Sequence, residues 1–376
     1  MVLQPKILVV TSSFGNGHKQ VSKALKSEFE QYNFNDVTII DIYEEAYPKI
    51  NIFAKSIHMQ LFQHAQTIYK WFFYGTEKLF DSVFFDRLLE LSGKSIKSIL
   101  QNEKPDIIIT TFPVGSVAKW KKYSTHPCKL YTVVTDYYIH RSWIHDEIDR
   151  YYIATEELID QMVKLGVSKS KIFVSGIPLR EEFRDVVSIK KDNKCISRTS
   201  HQILIVAGAL GILKDVVKMA KQLIQHTNLN LIVVCGNNQI LYKKLIKLKE
   251  LNEGRLQVFG YVNNIRSLYN NSDLLITKPG GITLSESIAC SLPTILYKPT
   301  PGQEKENSRI FENAGASVTV KSVQELIDYI QQFLSKPNYL EQMKSSLTSL
   351  NKGFSSQLIV NDIFGSSFIN KKERVT

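Results

Sequence analysis

Three glycine-bearing stretches of this chain combine residue types and spacings suited to anionic ligands and proton transfer. The richest is Thr277-Lys278-Pro279-Gly280-Gly281-Ile282-Thr283-Leu284-Ser285-Glu286, where an apolar strand ends in a Pro-Gly-Gly turn and a helix opens beside Thr283. The first N–H groups of a helix have no intrahelical acceptor and carry partial positive charge, so such a turn suits a phosphate. Glu286, on the first turns of that helix, is placed to accept both hydroxyls of a ribose, although a carboxylate there also complements the helix dipole. Downstream, Pro301-Gly302-Gln303-Glu304-Lys305-Glu306-Asn307 reads as a loop and helix start dense in groups that hydrogen-bond sugars. The second stretch, Gly208-Ala209-Leu210-Gly211, allows backbone to approach a diphosphate, or equally makes a tight strand-to-helix turn. The third, Ser13-Phe14-Gly15-Asn16-Gly17-His18, lacks the dinucleotide fingerprint, because Gln20 takes the place of its third glycine. His18 falls near the positive end of a helix, where the neutral, proton-accepting imidazole is favoured; a local capping role is the alternative.

The elements that must position these residues follow from hydrophobic patterning. Near-continuous apolar runs at 6–12, 37–42, 106–111, 130–135 and 171–174 predict buried parallel strands, with helices between them, the first over 19–31. After Gly176-Ile177-Pro178 the chain turns polar and charged through 188–201, which reads as a linker. A second set of strands is expected at 202–206, 229–235, 256–259, 273–277, 294–296 and 317–320. The pattern predicts an α/β protein of two doubly wound domains facing across a cleft, with ligands at the carboxyl ends of the strands.

Composition narrows the partners. The 376 residues carry 47 Lys plus Arg against 36 Asp plus Glu, a formal charge of +11 that suggests phosphate, nucleic acid or a membrane surface. No apolar run reaches the roughly 18 residues of a membrane span. Cys128, Cys195, Cys235 and Cys290 are widely spaced and lack a CxxC pair, so no metal site is expected. The N-terminal run reads as a first strand and not as a leader, which suggests a protein of the cytoplasm or the cytoplasmic membrane face. Between Tyr47 and Phe85, eleven aromatic residues counting both ends, Trp71, Phe72 and Phe73 among them, are interspersed with Lys49, Lys55, Lys70 and Lys78. Such a segment can lie in a bilayer interface or form a buried helical pair or dimer surface.

Taken together, the glycine loop ending in His18, Val134-Thr135-Asp136, Asp149-Arg150-Tyr151, Gly176-Ile177-Pro178, Lys278-Pro279-Gly280-Gly281, Thr283-Leu284-Ser285-Glu286 and Pro301-Gly302-Gln303-Glu304-x-x-Asn307 carry a specific resemblance. Over essentially its whole length the chain resembles the GT-B glycosyltransferases of family 28, and within them the processive diacylglycerol β-glucosyltransferases. The resemblance implies an acceptor- and membrane-binding domain over 1–185, a UDP-sugar-binding domain over 186–353, and a C-terminal helix within 354–376 packing back on the first. It implies that Glu286 holds the ribose and that backbone around Phe259 to Val262 reads the uracil. The turn of Gly280, Gly281 and Thr283 cradles the diphosphate, Pro279, Leu284, Gly208 and Gly211 belong to the same donor site, and the hexose falls to Gln303, Glu304 and Asn307. Phe14, Gly15, Asn16 and Gly17 form the acceptor-side loop, and the segment around Trp71, Phe72 and Phe73 matches the membrane-docking region. The reaction implied is inverting transfer of glucose from UDP-glucose to diacylglycerol, repeated on glucosyldiacylglycerol, at an anionic membrane surface and with no cofactor or metal. His18 and Asp136 compete for the role of base, Asp136 alternatively orienting acceptor and histidine.

Other readings are a UDP-galactose-dependent or other-acceptor relative and a regulatory protein that binds UDP-sugars. Nucleic acid is not expected, since no recognition motif accompanies the charge. Residues 1–185 carry 23 basic and 22 acidic side chains while residues 186–376 carry 24 and 14. The basicity therefore belongs to the second half, in clusters such as Lys243-Lys244, Lys247, Lys249 and Lys371-Lys372. It points to apolar insertion by the first domain and electrostatic attraction by the second.

Overall fold

The computed structural model describes residues 4–12, 16–42, 44, 96–184, 201–226, 228–252 and 254–365. The chain forms two units: Met1–Glu181 with Pro301–Gln303 and Lys352–Thr376, and Glu182–Thr300 with Glu304–Asn351. Of the sequence-derived features, Phe14, Gly15, the aromatic segment with Trp71, Phe72 and Phe73, most of the polar linker and the Lys371-Lys372 tail lie outside the described residues.

The first unit contains β1 (Ile7–Thr11), α1 (Asn16–Gln31), β2 (Val37–Asp41), β3 (Ile107–Thr110), α2 (Gly115–Tyr123), β4 (Lys129–Val133), β5 (Arg150–Ile153), α3 (Glu157–Lys164) and β6 (Ile172–Val174). The strands form one parallel sheet in the order β2-β1-β3-β4-β5-β6. Ile7 to Val10, Ile107 to Ile109 and Leu130 are buried, as continuous aliphatic runs in a sheet covered on both faces must be. Strand order reverses between β1 and β3, which opens a crevice at their carboxyl ends. Helix α1 begins three residues earlier than the pattern predicts, so His18 lies inside its first turn.

The second unit contains β7 (Gln202–Val206), α4 (Val216–His226), β8 (Asn230–Val234), α5 (Gln239–Glu250), β9 (Leu256–Phe259), α6 (Arg266–Asn270), β10 (Leu274–Thr277), α7 (Gly281–Ala289), β11 (Thr294–Tyr297), α8 (Gln303–Asn313, whose first residue groups with the first unit), β12 (Ser317–Val320), α9 (Val323–Ser335) and α10 (Pro337–Leu350). Its sheet is parallel in the order β12-β11-β10-β7-β8-β9, so the reversal lies between β7 and β10. Ile203, Ile205, Val233 and Ile276 pack with Met219 and Leu223 of α4 and Leu245 of α5 in a continuous core. The chain joins this unit ahead of the polar stretch, because Phe183 is buried edge-on against Tyr269 and Arg266 Nη1 donates to the Glu182 carbonyl at 2.6 Å.

Helix α11 (Ser355–Phe364) completes the first unit. Phe364 stacks on Phe34 at 4.1 Å between centroids and meets Phe29 edge-on at 6.2 Å. Asp362 accepts hydrogen bonds from Arg150 Nη2 at 2.8 Å and from the Tyr152 hydroxyl at 2.9 Å, and its Oδ2 lies 2.7 Å from Arg150 Nε in the ion pair. Burial and the neighbouring carboxylate raise the Tyr152 pKa well above its usual value. Gly176 has φ 77°, and a Cβ there would lie 2.6 Å from Ser355 Oγ, so the Gly-Ile-Pro turn is fitted to the start of α11. Removing one partner of a half-buried ion pair strands the other. Asp362→Ala is therefore expected to destabilise the first unit by about 2–4 kcal/mol, read as a fall in chemical-denaturation midpoint at unchanged m-value.

Candidate functional site

In the first unit the crevice between β1 and β3 is lined by hydroxyls and one imidazole. His18 Nδ1 lies 2.7 Å from the Thr111 carbonyl oxygen and 2.9 Å from Thr135 Oγ1, and its ring meets Phe112 edge-on at 5.1 Å. A carbonyl only accepts, so Nδ1 must carry the hydrogen, which leaves Nε2 as the unprotonated nitrogen. Thr111 Oγ1 joins the Thr11 and Ser22 hydroxyls at 3.0 and 2.9 Å, and Ser22 Oγ donates to the His18 carbonyl at 2.9 Å. These bonds fix the first turn of α1 against the ends of β1 and β3.

Burial pushes the His18 pKa down to about 4, opposed by the bond to Thr111. The imidazole is therefore neutral near pH 7. With the folded pKa below the unfolded value near 6.5, the unfolded chain binds the proton first as pH falls. Stability contributed by neutral His18 is complete above about pH 6.5 and declines toward pH 4, by about 3 kcal/mol in all. Denaturation midpoints measured between these pH values should fall in the native protein and vary less in His18→Gln.

Asp136 is buried just beyond the carboxyl end of β4 and accepts a hydrogen bond from the Gln303 amide. Asn16 and Gly17 form the first residues of α1. The neighbouring histidines serve the framework. His140 caps a short 3-10 turn, its Nδ1 accepting from Ser142 N at 3.1 Å, and His145 is held through its backbone by the Tyr151 hydroxyl at 2.9 Å. The Asp149-Arg150-Tyr151 motif is architectural as well. Burial raises the Asp149 carboxyl, but the Leu130 N–H and the Lys121 ammonium outweigh it and hold its pKa below the ordinary value.

In the second unit the reversal point is flanked by the loops after β7 and β10. Gly208 has φ 83° with open space where a side chain would project. Gly211, at φ 61°, is different: a Cβ there would lie 2.3 Å from the Cys235 carbonyl and 2.4 Å from Asn238 Cβ. Gly236 carries the complementary constraint, since its Cβ would meet the Gly208 carbonyl at 2.3 Å. Asn237 N donates to Ala209 O and Asn238 Nδ2 to Gly211 O, both at 2.9 Å. The loop after β8 therefore braces the first glycine loop, a role the sequence reading missed; its signal was the Cys235-Gly236-Asn237-Asn238 turn at another strand end.

Beyond β10, Gly280 caps α7 with no side-chain bond to the first turn and with open space at its own Cβ position. Asn307 is fully buried, and its amide donates to the Pro279 carbonyl at 3.0 Å, fixing the turn from α8. Glu304 accepts from Thr300 N at 2.7 Å and pairs with Lys278 Nζ at 3.3 Å, so the ends of β10 and β11 are linked through α8. Glu286 lies in the second turn of α7, 5% exposed, and accepts from the Tyr269 hydroxyl at 2.8 Å. Leu284 is in the core, and Thr283 is half-buried. The Phe259 carbonyl is used by Cys235 N at 2.8 Å, while Val262 is half-buried in the turn beyond β9. No group of three or more metal-ligating side chains occurs among the described residues, and no helix among them is long and apolar enough to cross a membrane.

Comparison with known proteins accounts for both units. Residues 18–179 match the family of monogalactosyldiacylglycerol (MGDG) synthases and residues 180–348 the family of glycosyl transferases group 1. Over 352 residues the chain is 38% identical to a processive diacylglycerol beta-glucosyltransferase of Bacillus cytotoxicus, covering 93% of this chain and 91% of the relative. A protein of the same name from Bacillus cereus strain AH187 is 38% identical over 373 residues, or 98% of this chain and 96% of its own. Among solved structures, Acinetobacter baumannii MurG aligns with a TM-score of 0.63 at 14% identity over 95% of this chain and 98% of its own. The UDP-GlcNAc 2-epimerase of Neisseria meningitidis, solved with UDP-GlcNAc bound, aligns at 0.60 and 14% identity over 95% and 99%. At these identities the structural likeness concerns the fold, which is GT-B.

Proposed function

The chain belongs to the family of processive diacylglycerol β-glucosyltransferases, and from that premise we propose that it transfers glucose from UDP-glucose to the free hydroxyl of 1,2-diacylglycerol and then to its own product. The observation that carries this reading is the second unit's crevice, with Gly208 and Gly280 both open to a ligand beside an uncapped helix start and a buried carboxylate. In this proposal Glu286 accepts the two ribose hydroxyls and the turn beyond Phe259, through Val262, reads the uracil edge. The α7 N-terminus at Pro279, Gly280, Gly281 and Thr283 takes the diphosphate with Gly208, and it stabilises the charge that develops on departing UDP. Leu284 and Gly211 support those loops. Gln303 and Glu304 bind hexose hydroxyls, and Asn307 holds the turn they face.

The acceptor belongs to the first unit, at the loop from Phe14 to Gly17. His18 Nε2 takes the proton as the glycerol oxygen attacks the anomeric carbon, and Asp136 orients the acceptor. Attack opposite the leaving diphosphate inverts the configuration. No metal is called for, because helix dipole and backbone donors carry the leaving-group charge. We place the reaction at the cytoplasmic face of an anionic membrane, with the aromatic segment around Trp71, Phe72 and Phe73 entering the interface.

A second reading, galactose as the transferred sugar, is favoured by the match of residues 18–179 to MGDG synthases. Mass spectrometry of lipids formed from UDP-glucose or UDP-galactose on diacylglycerol vesicles separates the two. Mono- and diglucosyl lipids are expected; products from UDP-galactose alone would replace the donor, and none from either would end the proposal.

A further inference from the structure

Outside the crevices, the outer face of α4 and α5 carries an unbalanced charge. Residues 212–251 hold seven lysines, Asp215 and Glu250, a net +5 of the chain's +11. The two helices follow successive strands of one parallel sheet, β7 to β8 and β8 to β9, so right-handed crossovers set them on the same side. They pack next to each other there. Their inner faces, including Met219, Leu223, Leu245 and Leu248, belong to the core.

At 100° per residue, Ile240, Lys243, Lys244 and Lys247 of α5 and Leu251 at its C-cap fall within an arc of about 100° facing away from that core. Ile240 is 71% and Leu251 82% exposed, and the three lysines between them are exposed as well. None of the three lysines has an ion pair among the described residues. Lys218 and Lys221 extend the face onto α4. Lys243 and Lys247, one turn apart, repel each other, an arrangement that weakens an isolated helix by a few tenths of a kcal/mol. Helix stability therefore does not explain it. An apolar residue at each end of an unpaired lysine stripe is the pattern of a helix lying on a lipid interface, aliphatic groups entering and ammonium groups meeting phosphates.

We infer that this face of the second unit is a docking surface for an anionic lipid bilayer. The inference deepens the membrane reading proposed above by giving the donor-binding unit its own contact, independent of the aromatic segment. Charge complementarity selects the occupant, since an unpaired cation stripe gains about 1 kcal/mol per lysine near an anionic surface.

The test uses the full chain with phosphatidylcholine vesicles, with and without about one-third phosphatidylglycerol. Lys243→Gln/Lys244→Gln/Lys247→Gln is expected to lower partitioning onto the anionic vesicles about 100-fold, roughly fivefold per lysine, with little change on neutral ones. Ile240→Ser/Leu251→Ser should weaken binding to both. Thermal midpoints should stay near that of the native protein, because the altered side chains are exposed. Unchanged partitioning of the triple variant overturns the inference, as does equal loss on neutral vesicles. Displacement of native protein from anionic vesicles by single-stranded RNA, with tighter RNA than vesicle binding, also overturns it. Turnover on detergent-dispersed diacylglycerol is measured in parallel: failure there counts against the proposed reaction, while vesicle binding reports on this surface alone.

Discussion

His18→Ala is expected to lower kcat for glucosyl transfer by about two to four orders of magnitude while leaving the Kd for UDP within a few-fold of native. The magnitude is that of a lost general base. Its direction follows from a ring whose Nδ1 is fixed on Thr111 O, so that Nε2 keeps its lone pair. Burial that sets the His18 pKa at about 4 also keeps the imidazole neutral through the physiological range, the state that accepting a proton requires. The acid limb of kcat/KM should accordingly fall near pH 4 and not near 6.5, provided stability is followed over the same range. If His18 served only to hold α1 against β3, the substitution would lower the melting temperature and leave kcat nearly unchanged. Asp136→Asn separates the two candidates: a base loses its chemistry, whereas an orienting carboxylate shows mainly a raised KM for the acceptor.

Glu286→Ala is expected to raise the KM for UDP-glucose and the Kd for UDP by about 100-fold or more, the loss of two charge-assisted hydrogen bonds, with a smaller effect on kcat. The ribose does not change in the reaction, so its binding is the same in ground and transition states. The variant also leaves the Tyr269 hydroxyl without its carboxylate partner, a cost of about 1–3 kcal/mol in stability. Tyr269→Phe keeps the carboxylate and serves as the control. Calorimetric titration with UDP should show a modest loss in Tyr269→Phe and a large one in Glu286→Ala. Equal affinities in both would remove Glu286 from the ribose site.

Much of this organisation is legible in the sequence because parallel strands announce themselves. The aliphatic runs that became β1, β3, β7, β8 and β10 must be buried on both faces, and the glycines at their carboxyl ends mark the turns into helices. Strand β5 escaped notice because Arg150 opens it, and only the fold supplies the Asp362 carboxylate that neutralises this residue from 212 positions away. The two glycines of the 208–211 loop are identical in sequence, yet one faces open space and the other is wedged against Cys235 and Asn238. Asn307 likewise reads as a sugar-binding residue, while its buried amide is spent on the Pro279 carbonyl. Residue type and spacing located the crevices. Which side chains face a ligand and which hold the loops depends on contacts between distant segments.

Inverting glucosyl transfer to diacylglycerol leaves its signature in the anomeric configuration of the product. UDP-glucose, an α-linked donor, is incubated with the full chain and diacylglycerol vesicles, and the anomeric proton coupling of the purified glycolipid is read by NMR. A β-linked glucosyldiacylglycerol is expected, extended by a second glucose at longer times. An α-linked product, or free glucose and UDP with no glycolipid, would contradict it.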